Sequence, residues 1–104
     1  MGKMFKFEIY QLPSGNQLSF MPWFWVKDKF NFADYEMVYD ANVTVENQEY
    51  LLDSIFSKFN INRPEDFTGH SLSVSDIVKV YEYGENGEDE YYFCDAMGWQ
   101  KVEV

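Results

Sequence analysis

Between Met4 and Leu12 apolar and polar side chains alternate, with Phe5, Phe7 and Ile9 on one side and Lys6, Glu8 and Tyr10 on the other. A period of two over nine positions predicts a half-buried strand. Pro13-Ser14-Gly15-Asn16 ends it as a turn, and Gln17 to Phe20 reads as a short return strand that pairs with the first. From Pro22 the spacing changes. Proline suits the first position of a helix, where its missing N–H costs nothing, and Trp23, Val26 and Phe30 then share one face. Phe24 and Trp25 fall on the other faces, which leaves two readings open: an aromatic core helix, or a surplus ring held out to anchor a partner. Asp34 to Asp40 alternates again, with Tyr35, Met37 and Tyr39 against Glu36 and Val38, and is expected as a strand.

The best helical pattern runs from Val45 to Asn60. Leu52, Ile55, Phe56 and Phe59 recur at the spacing of one buried stripe. Thr44 can cap the start, Glu46 and Glu49 suit the positive end of the helix dipole, Lys58 the negative end, and Asn60 is a plausible stop. Arg63 to Phe67 reads as a single turn. Ile77–Tyr83 and Glu90–Asp95 then form a hairpin around Asn86-Gly87, a pair suited to a type I′ turn. That loop sets Tyr91 opposite Glu82, Tyr92 opposite Tyr81, Phe93 opposite Val80 and Cys94 opposite Lys79. Met97-Gly98 turns the chain once more, and Trp99 to Val104 supplies a last strand with Val102 and Val104 on one face. The expected fold is therefore α+β in one domain spanning residues 1–104: a mainly antiparallel sheet, one principal helix packed on it and a C-terminal β-hairpin.

Charge narrows the partners. Eighteen acids stand against eight Lys and Arg, a net charge of -10 in 104 residues. Such a field repels phosphates, so direct nucleic-acid binding is not expected, and it steers association with basic surfaces. Glu82, Glu85, Glu88, Asp89 and Glu90 crowd around the hairpin turn; they are read either as solvating charges that guard an edge or as an acidic face for a basic groove. The one cysteine, Cys94, makes an internal disulfide impossible and fits a reducing compartment. With no apolar leader at the N-terminus and no run approaching the ~20 residues that span a bilayer, a cytoplasmic location without membrane contact is expected.

Gly69 to Val78 carries the sole His and has the residue types of a hydrolase: His70, Ser71, Ser73, Ser75 and Asp76. Catalytic triads are spatial, however, and sequence neighbours rarely meet their geometry; nor is there a Gly-x-Ser-x-Gly elbow to lift a serine into a cleft. A structural role for His70, Ser71, Ser73 and Asp76 explains the stretch more simply, with Ser73-x-x-Asp76 resembling a capping box. His70, Cys94, Asp95 and Asp76 lack metal-ligand spacing, so neither metal nor cofactor is expected. Cys94, among acids and aromatics, is read as a packed thiol and not a reactive thiolate.

Gly69-His70-Ser71-Leu72-Ser73-Val74-Ser75-Asp76-Ile77-Val78, followed by Tyr92-Phe93-Cys94-Asp95-Ala96-Met97-Gly98-Trp99, resembles the signature of the YodL-like domain. Ile9-Tyr10-Gln11-Leu12, Tyr35-Glu36-Met37-Val38-Tyr39 and Phe56-Ser57-Lys58-Phe59-Asn60 resemble it in the same order. The resemblance implies a small bacterial domain of Firmicutes, often carried on plasmids, phages and conjugative elements, with no established reaction. The Trp23-Phe24-Trp25 cluster and the acidic hairpin depart from the common pattern. The expected function is a non-enzymatic binding module of a mobile element. Its expected role is to inhibit a host or defence protein such as a CRISPR nuclease, by engaging its basic surface through Glu82, Glu85, Glu88, Asp89 and Glu90 together with Trp23 and Trp25. The alternative is a small hydrolase or nucleotide-handling enzyme using residues 70–76.

Overall fold

The computed structural model describes residues 2–13, 15–61, 72–95 and 98–104. Its frame is a five-stranded antiparallel sheet in the order β2-β1-β3-β4-β5. The strands are β1 (Lys3–Gln11), β2 (Glu36–Val45), β3 (Ile77–Val80), β4 (Glu90–Asp95) and β5 (Gly98–Val102). The helices are α1 (Trp23–Val26) and α2 (Leu51–Ile61). The α+β class, the antiparallel sheet, the single main helix and the C-terminal hairpin are as the periodicities predict.

Alternation in β1 does what it should. Phe5, Phe7 and Ile9 are buried under α2, joined by Val78 and Val80 of β3 and by Leu51, Leu52, Ile55 and Phe59 of the helix. Full burial of each such side chain is worth roughly 1.5–3 kcal/mol, so this stripe is what holds α2 to the sheet. The Phe7 and Phe59 rings meet edge-to-face at 5.9 Å. The opposite face of the sheet has its own small core of Val26, Ile77, Phe93 and Val102. It is covered by the connection between β1 and β2: Leu18, Trp23, Phe30, Phe32 and Tyr35 pack onto it. The sheet is thus a middle layer, with α2 on one side and an aromatic strap on part of the other.

Several expectations are corrected. Gln17–Phe20 is a run of turns and not a return strand; the partners of β1 are β2 and β3. The helix expected after Pro22 closes after one turn, Trp23–Val26, although Val26 is fully buried and Trp23 and Phe30 pack beside it as their shared face predicts. The strand expected at Asp34–Asp40 begins at Glu36 and runs on to Val45, because the β-branched Val43-Thr44-Val45 continues its alternation. Thr44 and Val45 are therefore strand residues. The helix starts later, behind a 3-10 turn at Gln48–Tyr50 whose capping side chain is Asn47, which accepts the Glu49 N–H at 3.0 Å. In the buried stripe Leu51 takes the place of Phe56, whose ring is exposed and meets Trp99 edge-on at 6.3 Å. Val102 is buried but Val104, beyond the end of β5, is exposed. The turn expected at Arg63–Phe67 lies outside the described residues.

The hairpin register moves by three residues. Ile77 faces Phe93, Val78 faces Tyr92, Lys79 faces Tyr91 and Val80 faces Glu90. An odd shift exchanges faces, so Val80 and Phe93, expected as a pair, lie in the two different cores. Cys94 faces Trp99 of β5 and not Lys79. The connection grows to residues 81–89. Within it Gly87 donates to the Gly84 carbonyl at 2.9 Å, and Gly87 but not Asn86 has a positive φ, which rules out type I′.

Candidate functional site

The Ser73–Asp76 segment is a rivet. The Asp76 carboxylate Oδ2 accepts the Ser73 N–H at 2.8 Å and the Gln11 Nε2–H at 3.1 Å. The Asp76 N–H in turn donates to the Ser73 carbonyl at 3.1 Å. This is the reach-back half of a capping box, closed on a turn that no helix follows. Ser75, held at φ 87, donates its N–H to the Cys94 carbonyl at 2.9 Å, and its Oγ accepts the Phe20 N–H at 2.9 Å. The Tyr35 hydroxyl donates to the Ser75 carbonyl at 2.8 Å, and the Cys94 N–H to the Asp76 carbonyl at 2.8 Å. One four-residue turn therefore fastens β1, the strap and β4 together. Asp76 is fully buried, and burial pushes its carboxyl up to about 7 although the Ser73 N–H and Gln11 oppose that. His70 and Ser71, the other members of the motif, lie outside the described residues.

Beside this turn a shallow groove of about 210 Å³ is lined by Asp53, Phe56, Cys94, Asp95, Gly98 and Trp99. Cys94 is the nucleophile type present there. Burial first, then Asp76 and Asp95, push its thiol up to about 12, so the thiolate is strongly disfavoured at neutral pH. Among the described residues no three His, Cys, Asp or Glu side chains converge as a metal site would require, and no helix of the described chain is long and apolar enough to cross a membrane.

The residues expected to meet a partner fall into two separate places. Phe24 and Trp25 project from α1 at 72% and 61% exposure, their rings edge-to-face at 5.6 Å. Trp23 does not join them: its ring packs on Phe93 at 5.1 Å and on Phe30 at 5.3 Å, and its backbone N–H donates to Asp95 Oδ1 at 3.2 Å. That inward tryptophan anchors the turn from which the outward pair projects. Phe20 and Met21 are exposed just ahead of it, Phe20 at φ 66. Phe20 escaped sequence reasoning because it was expected to end a return strand, Gln17 to Phe20.

Glu82, Glu85, Glu88 and Asp89 are exposed on the 81–89 loop, whereas Glu90 is buried. Glu90 accepts the Tyr92 hydroxyl at 2.5 Å and Lys101 Nζ at 2.9 Å. Although burial acts against it, these bonds hold its carboxyl below the usual range. Two of the exposed acids also serve the loop: Glu88 Oε2 accepts the Asn86 N–H at 3.0 Å, and Asp89 Oδ1 accepts the Glu82 N–H at 3.0 Å while its Oδ2 lies 3.9 Å from Lys79 Nζ. A Cβ at Gly84 would collide with the Glu88 side chain, so glycine lets that carboxylate fold inward. The loop is rooted by the Tyr83 hydroxyl, which donates to the Gln48 carbonyl at 3.0 Å. The aromatic pair and the acidic loop adjoin opposite ends of β4, roughly 17 Å apart along that strand alone.

No curated protein and no solved structure matches the chain. A family model described as the YodL-like domain matches residues 6–104, and with nearly the whole chain covered, the protein belongs to the YodL-like domain family.

Proposed function

We propose that the protein is a non-enzymatic binding module that docks through the Phe24–Trp25 pair and uses its acidic loop to approach a basic surface. The observation that carries this reading is the exposure of Trp25 on a turn whose other tryptophan packs inward. Trp is enriched among residues that dominate binding energy. Glu82 and Glu85 supply a field of the right sign for a basic partner, and a net charge of -10 favours fast encounter with one. The partner class is a basic protein of the host or of a defence system, such as a CRISPR nuclease, whose nucleic-acid groove would accept carboxylates in place of phosphates. A mobile-element setting, which the family resemblance implies, suits an inhibitor of that kind.

Affinity capture from host lysate with wild-type bait, compared with Trp25→Ala and with Glu82→Lys/Glu85→Lys, tests the proposal. The double reversal spares Glu88 and Asp89, whose carboxylates brace the loop. Loss of the captured protein with Trp25→Ala, and weaker capture with reduced salt dependence for the double reversal, are expected. Capture unaffected by either variant overturns the reading.

A further inference from the structure

The two edges of the sheet are unequal. β5 is short, Gly98–Val102, and carries Lys101, a residue type that blunts edges. β2 is ten residues long and has no Lys, Arg or Pro anywhere from Glu36 to Val45. Its one irregularity is a bulge at the Val38 end, where Ile9 faces Tyr39 but Tyr10 faces Met37. From Tyr39 to Val45 the edge is regular.

The direction of its backbone groups follows from the ladder. The Lys6 carbonyl accepts the Tyr81 N–H at 3.0 Å, so the backbone groups of Lys6 point toward β3. Lys6 faces Asn42 across the β1–β2 pair. In an antiparallel pair, opposite residues either exchange both hydrogen bonds or neither, so Lys6–Asn42 is a pair of the second kind. The N–H and C=O of Asn42 therefore face outward, and by the period of two so do those of Asp40 and Thr44. All three residues are exposed, and among the described residues nothing occupies those groups. Tyr39, Ala41, Val43 and Val45 turn their backbone groups to β1; Tyr39, Ala41 and Val43 are half-buried and Val45 is buried, packed into the α2-side core.

We propose that the β2 edge binds the β2 edge of a second copy of this chain, antiparallel about a two-fold axis at Asn42. Centring the pairing there opposes Asn42 to Asn42, Asp40 to Thr44 and Tyr39 to Val45, with Ala41 opposite Val43. The polar row meets neutral polar groups, the apolar row runs on across the axis, and every outward N–H and C=O of Asp40, Asn42 and Thr44 gains a partner. A centre at Asp40 would oppose two carboxylates, whereas a centre at Asn42 opposes no two acids within the regular stretch from Tyr39 to Val45, so charge favours Asn42 over Asp40. The two sheets become one continuous sheet with both apolar α2 faces on the same side, and the two-fold closes the assembly at two chains.

Equilibrium ultracentrifugation of the full chain, with oxidative cross-linking, tests this. Wild type is expected at the mass of two chains. Asn42→Pro removes an outward N–H that the β1 ladder does not use and is expected at the mass of one chain; Asn42→Lys keeps the N–H, opposes two ammoniums across the axis and is expected to give the same result with unchanged circular dichroism. In an exchanging pair opposite Cα atoms lie about 5.5 Å apart, within disulfide reach, so Asn42→Cys should cross-link quantitatively on oxidation. Thr44→Cys, which faces Asp40, should not. A wild-type monomer at millimolar concentration, or cross-linking of Thr44→Cys as fast as Asn42→Cys, overturns the proposal.

Discussion

Gln11 and Asp76, 65 residues apart in sequence, meet in a buried hydrogen bond of 3.1 Å from Gln11 Nε2 to Asp76 Oδ2. Burial pushes the Asp76 carboxyl up to about 7 from an ordinary value of 3.8. Between those two values the folded chain holds a proton that the unfolded chain releases. Stability from this group is thus full below about pH 4 and lost as pH rises through about 7, with a total effect on the order of a few kcal/mol. Asp76→Asn is isosteric, keeps an acceptor for the Ser73 N–H, and removes the titration. Thermal melts from pH 4 to 8 should show the difference between wild type and Asp76→Asn shrinking toward low pH and favouring the variant at pH 8.

Two tryptophans two residues apart should behave oppositely on truncation. Trp23→Ala opens a space against Phe93 and Phe30 and should cost about 3 kcal/mol in urea denaturation. Trp25→Ala removes an exposed ring and should stay within about 0.5 kcal/mol of wild type.

Glu90 differs from the acids around it in the same way. Its bonds to Tyr92 and Lys101 favour the ionised form, so its contribution is present above the usual carboxylate range and lost as pH falls through its depressed pKa. Lys101 is half exposed, so solvent screens the pair; Glu90→Gln should cost about 1 kcal/mol at pH 7 and nothing near pH 2, measured by urea titration at both. Glu85→Gln, on the exposed tip, should cost nothing measurable at either.

Cys94 should be silent in the folded protein. With burial and two neighbouring carboxylates holding the thiol up to about 12, alkylation by iodoacetamide at pH 8 should be slow in native buffer and rapid in urea. Equal rates in both would contradict its placement between Trp99 and the Asp76 turn.

What the sequence revealed follows its periodicity. β1 and α2 each bury a single face, so their apolar residues recur at the period of a strand or a helix, and both were legible. Ile77-Val78-Lys79-Val80 and Tyr91-Tyr92-Phe93-Cys94 have apolar neighbours on both faces, so alternation carries no register there, and the Asn86-Gly87 turn signal set it three residues out. The strap was illegible for a related reason: its aromatics reach the sheet from turns and one-turn helices, which have no period to detect. In the candidate sites, Trp23, Val26 and Phe30 are expected to share one face, yet Trp23 still counts with Trp25 among the expected partner-binding residues; only the packing of Trp23 on Phe93 and Phe30 separates the two. Glu90 could not be told from Glu88 or Asp89, since its partners Tyr92 and Lys101 are defined only once the register of β4 and β5 is known.

The placement of β1 between β2 and β3 bears on how the chain folds. Its contacts with β3 join residues about seventy positions apart, so the centre of the sheet forms only after a large loop has closed. Until Ile77–Val80 arrives, a β1–β2 pair has one edge of β1 open, with Phe7 and Ile9 lacking the Val78 and Val80 neighbours that cover them in the native state. A first strand in the middle of the sheet therefore ties completion of the core to the arrival of Ile77–Val80, and folding is expected to be slower than that of a sheet built from neighbouring hairpins.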